Sequence, residues 1–247
     1  MIVAIIQARL GSTRLPGKVL REIIPGKTCL EFMIERVKKS KKIDLVVIAT
    51  TCSENDNPIV DFCKSKSINF FRGSEDDVLS RYYHCARENS ATIVVRLTSD
   101  CPLVDPALID RCIDVYSSSE LDYFSNTCPP SKSKYPDGTD IEVFSMKSLS
   151  EANKDAVKLS DREHVTFYMW KDSNKFKTGI LESDIDLSKY RYTVDYPEDL
   201  EVVSFLANHI QDKNISGTAE EISRILDKNA QIFELNSRYY AGIGWKK

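Results

Sequence analysis

No C-x-x-C pair occurs in this sequence; its seven cysteines, Cys29, Cys52, Cys63, Cys85, Cys101, Cys112 and Cys128, are scattered and odd in number. Such spacing offers no disulfide framework and reads as reduced cytosolic thiols used mostly for packing. A long hydrophobic run is also missing. The apolar N-terminus, Met1 to Ile6, has no basic region before it and Arg9 soon after, so neither a secretory signal nor a membrane span fits, and the expected compartment is the cytoplasm. Nor is there a surplus of one charge. With 34 basic and 37 acidic side chains the formal net charge is -3, which gives no overall reason to bind nucleic acid or an anionic membrane. Any anion site must be local.

What is present is a chain of 247 residues, 42% hydrophobic, enough for a sizeable core. Short apolar runs alternate with segments of helical period, the pattern of a mostly parallel Rossmann-like sheet with helices on both faces, an α/β fold. Strands are expected at 2–7, 44–50, 68–71 and 92–97, with helices at about 28–40, 57–66, 76–88 and after Asp105-Pro106. Residues 127–139, TCPPSKSKYPDGT, hold three of the nine prolines and no helical period, so 127–145 is expected to be a loop or strand excursion from a single domain spanning 1–247. Beyond it, strands are expected near 140–145, 176–182 and 190–195, and helices near 147–156, 160–171 and on to about 235. There is no internal repeat.

Ligands of such sheets bind beyond the carboxyl ends of the strands. After the first strand comes QARLGSTRLPGKVL, residues 7–20, which is not a Walker loop: five residues separate Gly11 from Gly17-Lys18, and Val19 stands where Ser or Thr is needed. Gly11 and Gly17 still let backbone N–H groups approach an anion, and Arg9, Arg14 and Lys18 supply charge, so the loop reads as a polyphosphate cradle. Arg72-Gly73-Ser74 follows the third strand. Asp100 follows the fourth, and Asp195 the late one. Taken singly, each aspartate reads as a cap before Pro102 or Pro197. If their strands are adjacent, two hard carboxylates beside a phosphate-binding loop suit Mg²⁺.

The opening loop, with SDCPLVDP and TVDYPEDLE in the same order, resembles the cytidylyltransferases that activate octulosonate and nonulosonate sugars, in particular the spore-coat polysaccharide (SpsF-type) subgroup, over roughly residues 1–205. The resemblance implies the nucleotide-diphospho-sugar transferase type of fold and transfer of CMP from CTP to an acidic 2-keto-3-deoxy sugar, with release of pyrophosphate. It implies that Arg9, Gly11, Ser12, Arg14 and Lys18 contact the triphosphate and that Ala8 and Leu10 lie by the base. Arg72, Gly73 and Ser74 would help to read cytosine. Asp100 and Asp195 would hold Mg²⁺, Asp100 beside the nucleotide, and Arg14, Lys18, Asp100 and Asp195 would form the catalytic set. A homodimer is implied as well, with the 127–139 segment long enough to reach a second subunit. One departure is that the octulosonate enzymes place Gln-Gly before the first metal aspartate, where this chain has Thr98-Ser99.

Acceptor binding is expected from the second half. Asp137, Thr139, Asp140 and Glu142 offer oxygen acceptors around the Gly138 turn, and Arg162 or Lys134 would meet a sugar carboxylate. His164 is open to two readings, a base for the attacking hydroxyl or a structural histidine. A sugar phosphate or phosphonate acceptor would require further cations. A glycosyltransferase is disfavoured because Asp100-Cys101-Pro102 lacks the second aspartate of an Asp-x-Asp metal motif.

Overall fold

A computed structural model describes residues 1–171 and 174–239. Its main sheet has seven strands in the order β5-β4-β1-β6-β8-β7-β9. β1 (Ile2–Gln7) pairs in parallel with β4 (Leu45–Thr51) and β6 (Ile93–Thr98), and β5 (Asn69–Gly73) extends β4 in parallel. β8 (Glu142–Ser145) runs antiparallel to β6 and to β7 (Tyr123–Ser125), and β9 (Thr178–Ile180) closes the edge in parallel with β7. The mostly parallel α/β architecture is the one expected. A hairpin of β2 (Glu22–Ile24) and β3 (Lys27–Thr28) stands apart, and neither it nor β7 was legible in so few residues.

The helices start where the chain supplies caps. Thr28 accepts from the Glu31 N–H to open α1 (Cys29–Val37), Asp77 from Ser80 to open α3 (Val78–Glu88), and Asp105 from Ala107 to open α4 (Pro106–Ser117), whose first residue is proline. α2 (Asn57–Ser65), α5 (Met146–Asp155) and α8 (Pro197–Asp212) lie close to their expected bounds or range. α9 (Ala219–Asp227) has a full capping box of Thr218 and Glu221. α10 (Ala230–Asn236) brings Asn236 back under the site. α1 and α4 cover one face of the sheet through Leu30, Met33, Leu108 and Ile109, and α3 and α5 the other through Leu79, Tyr82 and Leu149. Six cysteines are buried and Cys52 is exposed. Among the described residues no helix is long and apolar enough to cross a membrane.

Two expectations need correction. The helix expected over 160–171 is two short ones, α6 (Leu159–His164) and α7 (Phe167–Trp170), separated by Val165 at φ 61°, ψ -59°. The Thr166 N–H donates back to the His164 carbonyl at 2.6 Å, a three-residue turn that puts the Val165 side chain in the core and the Thr166 hydroxyl on Glu142. The strand expected at 190–195 is extended chain with one bridge, Asp137 to Arg191. It cannot build a ladder because the chain beside it turns at Gly138. That residue has φ 100°, and a Cβ there would lie 2.3 Å from the Thr193 nitrogen. The 127–139 stretch packs on its own sheet, with Thr127, Cys128 and Tyr135 buried and the Lys134 carbonyl accepting from Leu187.

Candidate active site

At the carboxyl end of β1 the chain leaves the sheet as a loop closed on itself. The Leu10 carbonyl accepts from Ser12 and Gly17, and Gly17, at φ 69°, reverses the chain into a single 3-10 turn, Lys18–Leu20. The buried Asp56 fixes the loop from below by accepting the Leu10 N–H at 2.7 Å and the Thr51 hydroxyl. Ala8 is buried beside β4, while Arg9, Gly11 and Arg14 are exposed and Ser12 is half-buried. Lys18 points inward. Its Nζ donates to Asp100 at 3.0 Å and to Asp195 at 2.8 Å, and Arg14 pairs with the same Asp195 oxygen at 2.7 Å.

Asp100 and Asp195 therefore converge although 195 ends no strand. Asp100 sits in the turn after β6, and its carbonyl accepts from the Val194 N–H and the Thr193 hydroxyl, which holds the two segments together. Asp195 begins the chain leading into α8. Burial alone would raise its pKa, but Lys18 and then Arg14 override that and hold it well below the usual carboxylate range. Burial likewise works against the charge on Lys18, and Asp100 and Asp195 more than offset it.

Of the acceptor candidates, Asp137 and Asp140 join this cluster. Asp137 pairs with Arg191, and Asp140 accepts from Thr127 and from the Gly138 N–H. The structure engages Thr139 with Asn126 and the Pro136 carbonyl. Glu142 is buried, and it accepts from Arg96, from the Tyr123 hydroxyl and from the Thr166 hydroxyl. His164 stacks on Phe167, and burial lowers its pKa. Arg162 is brought elsewhere, to Asp77 and Asn153, while Lys134 donates to the Ser183 carbonyl. Arg72 holds the turn after β4, through Thr51, Ser53 and Asn57, with Gly73 and the exposed Ser74 following it.

Sequence reasoning missed Arg191. It is 4% exposed and contacts Asp137, Asp195 and Asp199, the last also buried and accepting from the Asp195 and Tyr196 N–H groups. The only local signal was a cation alternating with Thr193 and Asp195 along extended chain.

Five carboxylates, Asp100, Asp137, Asp140, Asp195 and Asp199, thus meet three cations, Lys18, Arg14 and Arg191. The negative excess shows at Asp137. Burial, with Asp140 next, pushes its pKa up to about 7, against the pull of Arg191, which is shared among three carboxylates. The folded protein therefore binds a proton that the unfolded chain has lost. The associated stability is present below the ordinary carboxylate pKa and disappears as pH rises through 7. In chelator-treated protein, Asp137→Asn will gain stability relative to wild type between pH 5 and 8, read from thermal melts; a constant difference across that range would contradict the raised pKa. A hard divalent cation fits this donor set. Among the described residues no three carboxylate, histidine or cysteine groups form a protein-only cage, and Mg²⁺ commonly takes one or two carboxylates and completes its shell with phosphates and water.

A family model described as cytidylyltransferase matches residues 3–240. The chain is 39% identical to an uncharacterised protein of Methanocaldococcus jannaschii, over 96% of this chain and 94% of that one. It is 32% identical to the spore coat polysaccharide biosynthesis protein SpsF of Bacillus subtilis, over 92% and 95%. A solved cytidylyltransferase from Leptospira borgpetersenii superposes with a TM-score of 0.86 at 32% identity, covering 97% of this chain and 99% of that one.

Proposed function

The chain belongs to the cytidylyltransferase family of CTP-dependent nucleotidyltransferases, and from that premise we propose that its acceptor is an acidic sugar, a 2-keto-3-deoxy sugar acid, and that the reaction uses Mg²⁺ at Asp100 and Asp195. The product would serve a surface polysaccharide or glycoconjugate, in keeping with the name of the Bacillus relative. The observation that carries the reading is the Lys18 ammonium shared between two aspartates that lie 82 and 177 residues further along the chain. It joins the loop that can receive phosphates to the carboxylates that can receive a cation.

The acceptor hydroxyl attacks the α-phosphorus in line and pyrophosphate leaves, a reaction that needs positioning and charge neutralisation rather than a covalent intermediate. Arg9, Arg14 and the loop N–H groups take the β- and γ-phosphates. Lys18 turns from the aspartates toward the leaving group, where its charge counts most. Asp100 and Asp195 would hold Mg²⁺, which would supply positive charge to neutralise the phosphates and, in place of Lys18, the two aspartates. For the acceptor carboxylate, Arg162 is held by Asp77, and Arg96 is a further candidate, although Glu142 already accepts from its Nη1. Its Nη2 donates to Gln7 at the end of β1, and its Nε has no acceptor among the described residues.

Pyrophosphate release, measured with each of the four nucleoside triphosphates against keto-acid sugars, sugar phosphates and phosphonates, tests the reading. Release is expected with CTP and a keto-acid sugar when Mg²⁺ is present, and chelation should abolish it. Release only with a phosphorylated or phosphonate acceptor would overturn the acidic-sugar assignment, and full activity in chelator would overturn the metal.

A further inference from the structure

Arg96 is held on several sides at once. Its Nη1 donates to Glu142 and its Nη2 to the Gln7 Oε1 at 3.2 Å, while its Nε is buried without an acceptor among the described residues. The guanidinium lies over the Tyr82 ring, 5.7 Å from the centroid. Glu142 is itself locked, because the Tyr123 and Thr166 hydroxyls each donate to its Oε1 at 2.6 Å and Arg96 takes its Oε2. What this network leaves open is Gln7.

A guanidinium carries only donors, so the Gln7 amide must turn its oxygen to Arg96 and its N–H₂ away. That N–H₂ has no acceptor among the described residues, although Gln7 is half-buried. Gln7 ends β1 in register with Thr98, which ends β6, and ligands of such sheets bind beyond these carboxyl ends. Alternation along the strand puts Gln7 on the face of Ile5, the one that Tyr82, Phe144 and Val165 cover, whereas Ala8 packs on the other. Glu142 and Thr166, which hold the network together, come from the second half of the chain, where acceptor binding is expected. Donation from Arg96 also polarises the amide and strengthens its N–H groups toward an anionic oxygen.

We propose that Gln7 is a specificity-determining residue of the acceptor site: its N–H₂ donates to the acceptor carboxylate, and Arg96, held by Glu142, is the positioning residue that fixes the sense of the amide. This deepens the acidic-sugar reading and rests on it. Arg96 then acts on the acceptor through Gln7 and not by direct contact.

The test is steady-state pyrophosphate release by Gln7→Met and Gln7→Glu, with melting followed without ligand. CTP is varied in one series, and in the other 3-deoxy-manno-octulosonate or N-acetylneuraminate, whichever the wild type uses better. Gln7→Met loses the donor and should raise the KM for the sugar acid roughly 10–100-fold, the usual effect of a hydrogen bond to a charged group, with the KM for CTP within about twofold of wild type. Gln7→Glu keeps the shape and an oxygen for Arg96 but sets a carboxylate against that of the acceptor, so its KM for the sugar acid should rise further still. If Gln7 only satisfies Arg96, the Glu variant will match wild type in both KM values while the Met variant melts lower and loses both substrates together, which overturns the proposal. Equal KM values for the two variants would put a neutral oxygen at Gln7, and a change confined to CTP would put the nucleotide there; either result overturns it too. Wild-type protein that releases pyrophosphate with neither acid refutes the acidic-sugar reading itself, whereas the failures of the variants refute only the role of Gln7.

Discussion

Asp195→Asn will lose turnover by about a hundredfold or more while keeping its fold. One Asp195 oxygen accepts both Lys18 Nζ and Arg14 Nη2, and the other accepts from Arg191 at 3.1 Å. Asparagine has the same shape but only one acceptor oxygen, so its amide N–H₂ must face either the Lys18–Arg14 pair or Arg191, a donor against a donor. Either orientation removes the negative charge that draws the loop cations and the 190–195 segment to one point. The fold survives because Lys18 keeps Asp100, Arg191 keeps Asp137 and Asp199, and Arg14 is exposed to solvent and still lies over the Tyr196 ring.

The cost in stability should be about 1–3 kcal/mol, the usual penalty for an unsatisfied group of this kind. Its pH dependence has a definite sign. Because the folded-state pKa of Asp195 is depressed, its contribution is present above roughly pH 4 and is lost as pH falls below that, so the variant should show a shallower acid limb than wild type. Steady-state pyrophosphate release together with thermal melts checks both parts. Wild-type turnover in the variant would remove Asp195 from the reaction.

What the sequence made legible was local chemistry at strand ends. Gly11, Gly17, Arg9, Arg14 and Lys18 lie within ten residues, so a closed cationic loop follows from the chain itself, and the structure draws it with Gly17 in the left-handed region. The joining of Asp100 to Asp195 is different in kind. It depends on the Val194 N–H meeting the Asp100 carbonyl, a contact between segments almost a hundred residues apart that no periodicity announces. An apolar residue at every second position, Tyr190, Tyr192 and Val194, fits a strand at 190–195, and all three are buried, but the backbone partners of the segment are the turns at 100 and 137. The break at Val165 was invisible because neither glycine nor proline marks it. Arg162 looked like a free cation at a helix start, since its partner Asp77 stands 85 residues earlier.

Arg191→Met should cause the largest loss of stability of any substitution considered, because the three carboxylates around Arg191 are not equally able to do without it. Asp199 is fully buried and would keep only the N–H groups of Asp195 and Tyr196 and the Asn236 amide. Asp137 would stand beside Asp140 with no cation in contact, and both already have raised pKa values. Removing one partner of a buried ionic network typically costs about 3–5 kcal/mol, because the remaining charges stay buried, whereas replacing the whole network by apolar groups can be neutral. For a chain of this length each kcal/mol lowers the melting temperature by roughly 2–4 °C, so a fall on the order of 10 °C is expected. Methionine fills the space of the arginine stem, so the loss reports charge and not a cavity. The origin of the loss is checked by adding Asp137→Asn. If the penalty comes from unpaired carboxylates, the double variant should be less destabilised than the sum of the two single changes. A single variant that melts within about 2 °C of wild type would mean that Arg191 does not hold the extended segment. Asp195 would then owe its place beside Lys18 to the contacts of Thr193 and Val194 with the Asp100 carbonyl and to its own N–H bond to Asp199.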